Sequence, residues 1–266
     1  MLAALGSLGF CGCANVTDLA VRYARSENLS SSVISGTRYR HQIFISRSAA
    51  TDVLYVFVEG DGTPWTNQGR EIADDPTPHQ PLALKLAANT RRSILYIGRP
   101  CYFSTVSDAA CSSKLWTSER YSAEIVQSMS SAVNQYAAQA GYGHLVLIGY
   151  SGGGTMAVLM APHVPATRAV ITIAANLDVE AWARWHHYLP LTGSENPALQ
   201  PPLDASIQQF HLIGGRDSNV PETLNHRYFE KRDAGVLWHY PAFDHVCCWV
   251  DAWPAILGRI DAALTP

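Results

Sequence analysis

The chain has 266 residues, 47% of them hydrophobic, which is enough to bury a sizeable core as one α/β-sized domain. Only 15% of residues are charged, the formal net charge is −3, and Lys and Arg are scattered apart from Arg91-Arg92 and Lys231-Arg232. This excludes the basic stripe that a nucleic-acid partner requires, and no Gly-Lys-Ser/Thr phosphate loop, HExxH or paired CxxC occurs.

The first stretch, "MLAALGSLGFCGCANV", carries an apolar leader over residues 1–14. It is too short to span a bilayer comfortably and lacks the basic start of a complete signal peptide. Its end, "GFCGCAN", resembles the cleavage site of a bacterial lipoprotein signal, with Cys13 as the residue to be lipidated. Phe10 and Cys11 match that pattern poorly, and an ordinary apolar N-terminal helix is the alternative. The resemblance implies export in a bacterium, periplasmic or lipid-anchored to a membrane; a cytoplasmic protein is the other reading. Export would permit disulfides. Cys101 and Cys111 can then close a short loop, while Cys247-Cys248 form either a vicinal bridge or two buried thiols.

Residues 15–266 read as a single domain in which strands and helices alternate. "YRHQIFISR" and "DVLYVFVEG" are β-branched and aromatic runs, the second ending in the turn "EGDGTPW". "QPLALKLAANT" predicts a helix and "SILYIGRP" a strand stopped by Gly98 and Pro100. In "TSERYSAEIVQSMSSAVNQYAAQAGYG", Ile125, Met129, Val133 and Tyr136 recur at helical spacing, with Gly141 as the stop. The strand "HLVLIGY", a helix after Ser151 and the strand "RAVITIAAN" follow. A Trp-rich segment at about 176–204 breaks the rhythm and predicts a short cap. The alternation resumes with "QQFHLIGG", the helix "PETLNHRYFEKRD", the strand "GVLWHYP" and the helix "WVDAWPAILGRIDAAL". Apolar strands joined by helices give an α/β fold, a mostly parallel sheet covered on both faces.

In such a sheet, ligands collect beyond the carboxyl ends of the strands. Gly149-Tyr150-Ser151-Gly152-Gly153 stands at one of these ends and fits Gly-x-Ser-x-Gly. The spacing suits a tight strand-to-helix turn: the flanking positions crowd each other, the serine hydroxyl is lifted above the sheet, and the next N–H points to the same place. A glycine turn that binds a phosphate, or is merely structural, is the bland alternative. Placed between an apolar strand and a helix, the motif resembles the nucleophile elbow of the α/β-hydrolase superfamily, and the likeness extends from about Tyr39 to the end of the chain.

That resemblance implies a serine, acid, histidine order, which Ser151, Asp217 in "FHLIGGRDSNVP" and His245 in "LWHYPAFDHVCCW" satisfy. His245 would take the serine's proton and Asp217 would hold the imidazole. Asp178, after the next strand, is the rival acid, whereas Asp244 is expected to cap a loop or helix and His239 to sit in the sheet. The family's oxyanion hole implies Gly152 N–H as one donor. The second comes from the loop after an earlier strand, where this chain has Glu59-Gly60 in place of His-Gly; Asp61 N–H is the matching donor, or Gly62 if the turn is shifted by one. The acidic side chains there are expected to turn outward or to pair with Arg99 or Arg70. Trp65, Tyr150, Trp182 and Trp185 are candidates for substrate binding, although the tryptophans can equally pack on the body of the domain.

The activity so implied is hydrolysis of a small or medium carboxylic ester through an acyl-enzyme, without metal or organic cofactor. The same constellation serves acyltransferases, thioesterases and peptidases, and a non-catalytic membrane-attached binding protein on this scaffold is a reading of another class. "IGRPCYF" and "CSSKLWTSERYS" are distinctive but carry no assigned chemistry.

Overall fold

The computed structural model describes residues 16–48, 52–103, 109–230 and 235–264. The apolar leader, with Cys11 and Cys13, lies outside the described residues. The elements in order are α1 (Val16–Ser26), β1 (Ser30–Ser35), β2 (Arg40–Ser46), β3 (Val53–Val58), β4 (Trp65–Thr66), β5 (Glu71–Ile72), α2 (Leu82–Ala88), β6 (Ile94–Ile97) and α3 (Ala123–Ala140). They continue with β7 (His144–Tyr150), α4 (Gly152–Met160), β8 (Thr167–Ile173), α5 (Val179–Trp185), β9 (Gln208–Gly214), α6 (His226–Glu230), β10 (Val236–Tyr240) and α7 (Trp249–Leu264).

Eight strands form one sheet in the order β1-β2-β6-β3-β7-β8-β9-β10, and β4 and β5 form a separate small hairpin. The first two pairings, β1 with β2 and β2 with β6, are antiparallel; every later one is parallel. Burial explains why the central strands are continuous apolar runs: β3, β6 and β7 are covered on both faces, and Leu54, Phe57, Ile94, Leu95, Leu145 and Leu147 are inaccessible to solvent. On α3 the predicted stripe of Ile125, Met129, Val133 and Tyr136 is buried, and Gly141 ends the helix in the left-handed region at φ 80°. Helix α7 buries Trp249 and Trp253 completely, the latter donating through its indole to Thr90 Oγ1 at 2.8 Å.

Three features differ from the periodicity. Strand β1, "SSSVIS", is serine-rich and almost wholly exposed, so its pairing with β2 leaves no apolar alternation to read. The two-residue strands of the β4–β5 hairpin are too short to show a period. The helix expected from Pro221 begins as a 3-10 turn, Glu222–Asn225, before α6. Both cysteine pairs among the described residues are disulfides, Cys101–Cys111 and the vicinal Cys247–Cys248.

The chain leaves β3 toward β6 on one side and leaves β7 toward β8 on the other. The two strands that flank this reversal therefore open a crevice beyond their carboxyl ends. One end carries Glu59, Gly60 and Asp61; the other carries Ser151.

Candidate active site

Ser151 lies between β7 and α4 with φ 52° and ψ −125°, a strained conformation for a residue with a side chain. Its N–H donates to Ile173 O at 2.8 Å, and its carbonyl accepts from Gly154 N at 2.9 Å. The glycines have a steric cause: a Cβ on Gly149 would strike the backbone of Gly153 and Gly154, and one on Gly153 would strike the Val58 and Glu59 carbonyls. Gly60 packs across the crevice, its Cβ position 3.4 Å from Ser151 Cβ.

Two other strand ends converge on the serine. His245, beyond β10, sets Nε2 3.1 Å from Ser151 Oγ and Nδ1 2.8 Å from Asp217 Oδ2. Asp217, beyond β9, is buried, and its other oxygen accepts from Asn219 N at 2.9 Å and Val220 N at 2.8 Å. With the Nδ1 proton directed to the carboxylate, Nε2 is left as the acceptor for the serine hydroxyl. Asn219 Nδ2 also approaches Nε2, at 2.9 Å, a contact that sequence reasoning missed. Its only signal is position, two residues after Asp217. The His245 loop is held by Asp244, whose Oδ1 accepts from Val246 N at 2.8 Å and Cys247 N at 2.6 Å. Those amides keep the Asp244 carboxyl below its ordinary value.

The structure separates Asp178 from this constellation. It caps α5, accepting from Ala181 N at 3.1 Å, and pairs with Arg227 through both oxygens at 2.7 and 2.5 Å. His239 lies in β10 and faces Glu222 at 3.0 Å.

Glu59 and Asp61 do not turn outward. Glu59 is buried at the start of α2 and accepts from Gly60 N at 3.1 Å, Ala83 N at 3.2 Å and Leu84 N at 3.3 Å. Burial raises its carboxyl to about 7, because those amides and the nearby Arg99 offset only part of the desolvation. The Asp61 carboxylate pairs with Arg99 and with Arg120, not with the exposed Arg70. Burial opposes its ionised form, but the Arg120 and Arg99 charges and the Tyr121 hydroxyl outweigh it and lower the pKa. Among the described residues, no group accepts the N–H of Gly152, of Asp61 or of Gly62.

Ser151 and His245 open onto a cleft of about 850 Å³. Trp65, Tyr150 and Trp182 line it, as do Asp61, Gly62, Asn219 and the stretch from His187 to Leu191 that follows α5. The predicted placement of Trp185 at the cleft is corrected: it is not among the lining residues and is 55% exposed, because α5 turns Trp182 inward and leaves Trp185 on its outer side. Leu189, by contrast, reaches the rim although 86% exposed. Among the described residues, no cluster of His, Cys, Asp or Glu is placed to hold a metal ion, and no helix is long and apolar enough to cross a membrane.

No protein-family model and no curated protein sequence matches the chain. Solved structures do. An α/β serine hydrolase without lid from Xanthomonas campestris superposes with a TM-score of 0.59 at 12% identity, covering 90% of this chain and 96% of that one. An esterase from Pyrococcus furiosus gives 0.62 at 13% identity, covering 90% and 91%. A bacterial membrane phospholipase A gives 0.58 at 14% identity, covering 94% and 93%. The protein has the α/β-hydrolase fold. At such identities the likeness defines the architecture, and the chemistry must be argued from the side chains.

Proposed function

We propose that the protein is a serine hydrolase that cleaves small or medium carboxylic esters. The observation that carries this reading is the continuous line from Ser151 Oγ through His245 to the buried Asp217, on an open cleft. His245 Nε2 takes the serine proton as Oγ bonds to the ester carbonyl carbon, and the resulting oxyanion receives the unused N–H groups of Gly152 and Asp61. Collapse of the tetrahedral intermediate breaks the carbon–alkoxy bond, and His245 returns the proton to the leaving alcohol. Water, deprotonated by the same imidazole, then hydrolyses the acyl-enzyme. Asp217 stabilises the imidazolium throughout. Trp65, Trp182 and Tyr150 give the cleft apolar walls, and its volume falls in the range usual for small-molecule sites.

The test is p-nitrophenyl ester turnover across acyl lengths, with Ser151→Ala and fluorophosphonate labelling alongside. The expected result is turnover and labelling that both vanish in the variant, with kcat down by about 10⁴-fold or more. An unlabelled wild-type serine would sink the enzyme reading. Product analysis with an added alcohol distinguishes acyl transfer from hydrolysis. Two disulfides support an exported protein. Lipid attachment at Cys13 extends that reading, and the mass of the mature N-terminus tests it.

A further inference from the structure

One buried group of charges lies behind the oxyanion position and has no part in the steps above. A Cβ on Gly152 would collide with Asp61 Oδ1 and with the Tyr121 hydroxyl, so a carboxylate sits directly against the first peptide of α4. Unopposed, that negative charge would work against a developing oxyanion. It is not unopposed. Arg99 Nη2 lies 2.9 Å from Asp61 Oδ1, an ionic contact without hydrogen-bond alignment, and Arg120 Nη1 lies 3.0 Å from Oδ2. The Tyr121 hydroxyl is 2.8 and 2.7 Å from the two oxygens, and Tyr102 donates to the Asp61 carbonyl at 2.7 Å. The two cations are themselves fixed. Arg99 Nη1 donates to Arg120 O at 3.1 Å, Arg120 Nε donates to Thr117 O at 2.7 Å, and both guanidiniums are almost wholly buried.

We propose that Arg99 and Arg120 are positioning residues for the oxyanion: they clamp the Asp61 carboxylate behind Gly152, hold the Gly60–Asp61 turn in place, and cancel the charge that would oppose a negative oxygen there. The inference rests on reading Ser151 as the nucleophile. Stability alone is a poor reason for such a cluster, since buried ion groups seldom outperform apolar residues of similar size. Its location supplies another reason. It also gives chemistry to two stretches that had none: "IGRPCYF" contributes Arg99 and Tyr102, "CSSKLWTSERYS" contributes Arg120 and Tyr121, and the Cys101–Cys111 disulfide joins them. The acidic "EGDG" turn is tolerated beside the site because two arginines come with it.

The test compares wild type, Arg120→Ala, Arg120→Gln and the double variant Arg120→Ala/Asp61→Asn, reading kcat and KM on one ester, the rate of fluorophosphonate labelling, and the melting temperature. Arg120→Ala and Arg120→Gln are expected to lose about 10²-fold in kcat and in labelling rate with KM little changed, the size of effect seen when an oxyanion donor is removed. Neutralising the carboxylate in the double variant is expected to recover at least 10-fold of that loss. A purely structural cluster predicts that the double variant recovers melting temperature alone, because the uncompensated buried carboxylate is gone, with no recovery of kcat or labelling rate in the folded protein. Folded Arg120→Gln with near wild-type kcat, or a folded double variant no faster than Arg120→Ala, overturns the inference while leaving the hydrolase reading standing. Absence of labelling in the wild type overturns both, and so separates the two failures.

Discussion

Asp217 and Asp178 are both buried aspartates beyond strand ends, and their neighbours decide what each does. Asp217 offers one oxygen to His245 and spends the other on two amides, so it holds an imidazole. Asp178 has both oxygens engaged by Arg227 and a helix start. Glu59 shows the other consequence of burial. Its carboxyl stands at about 7 in the folded chain against an ordinary 4.5, so between those values the native state binds more protons than the unfolded one. Stability from this group is complete below pH 4.5 and declines as pH rises through about 7, over a span of about 3 kcal/mol. Glu59→Gln is expected to flatten that decline; urea melts at pH 5 and pH 8 would show it, and an unchanged slope would assign the pH dependence elsewhere.

At the scale of elements, α4 is an unlikely helix by propensity, opening on three glycines that each cost about 1 kcal/mol relative to Ala. Tertiary packing holds it, since every one of its residues is buried. The glycine cost is what allows its first turn to approach β3 and the Asp61 carboxylate closely enough to form the site. Helix α5 is organised differently. Its start depends on Asp178, through a cap and an ion pair, and through Asn196, which also donates to Asp178 Oδ1 at 3.0 Å. Asp178→Ala is expected to cost about 2 kcal/mol of stability while retaining turnover. Asp217→Asn should do the reverse, lowering kcat by about 10⁴-fold in a folded protein. Denaturant curves and ester assays on both variants decide the assignment of the acid.

For the molecule as a whole, the strand order places the two halves of the candidate site on adjacent strands that diverge in connection, and β9 and β10 bring Asp217 and His245 from the far side. The Cys101–Cys111 bridge fastens the excursion between β6 and α3, from which Arg120 and Tyr121 enter the site. Closing a loop of sequence separation 10 is worth about 3 kcal/mol in chain entropy. The double variant Cys101→Ser/Cys111→Ser is therefore expected to lose about that much stability by thermal or urea melts; a loss well under 1 kcal/mol would mean the excursion is held without the bridge.

The sequence by itself determined the alternation of apolar strands with helices and the strand-to-helix serine turn, because each is written in local periodicity or in a motif a few residues long. Asp217 and His245 were legible only through the family resemblance, which supplies their chain order. Its limits are equally physical. Strand β1 is legible only through its pairing with β2, since exposed serines carry no pattern. Trp182 and Trp185 share a helix and a residue type, and only the packing of α5 sends one to the cleft and the other to solvent. Asp61, Arg99, Arg120 and Tyr121 are dispersed over 60 positions, yet they make one buried charge cluster. The sequence reading offered Arg99 or Arg70 as a partner for the acidic turn. That Arg99 pairs, and that Arg120 and Tyr121 join it, depends on which loops the sheet brings together, and that was decided only by the tertiary structure.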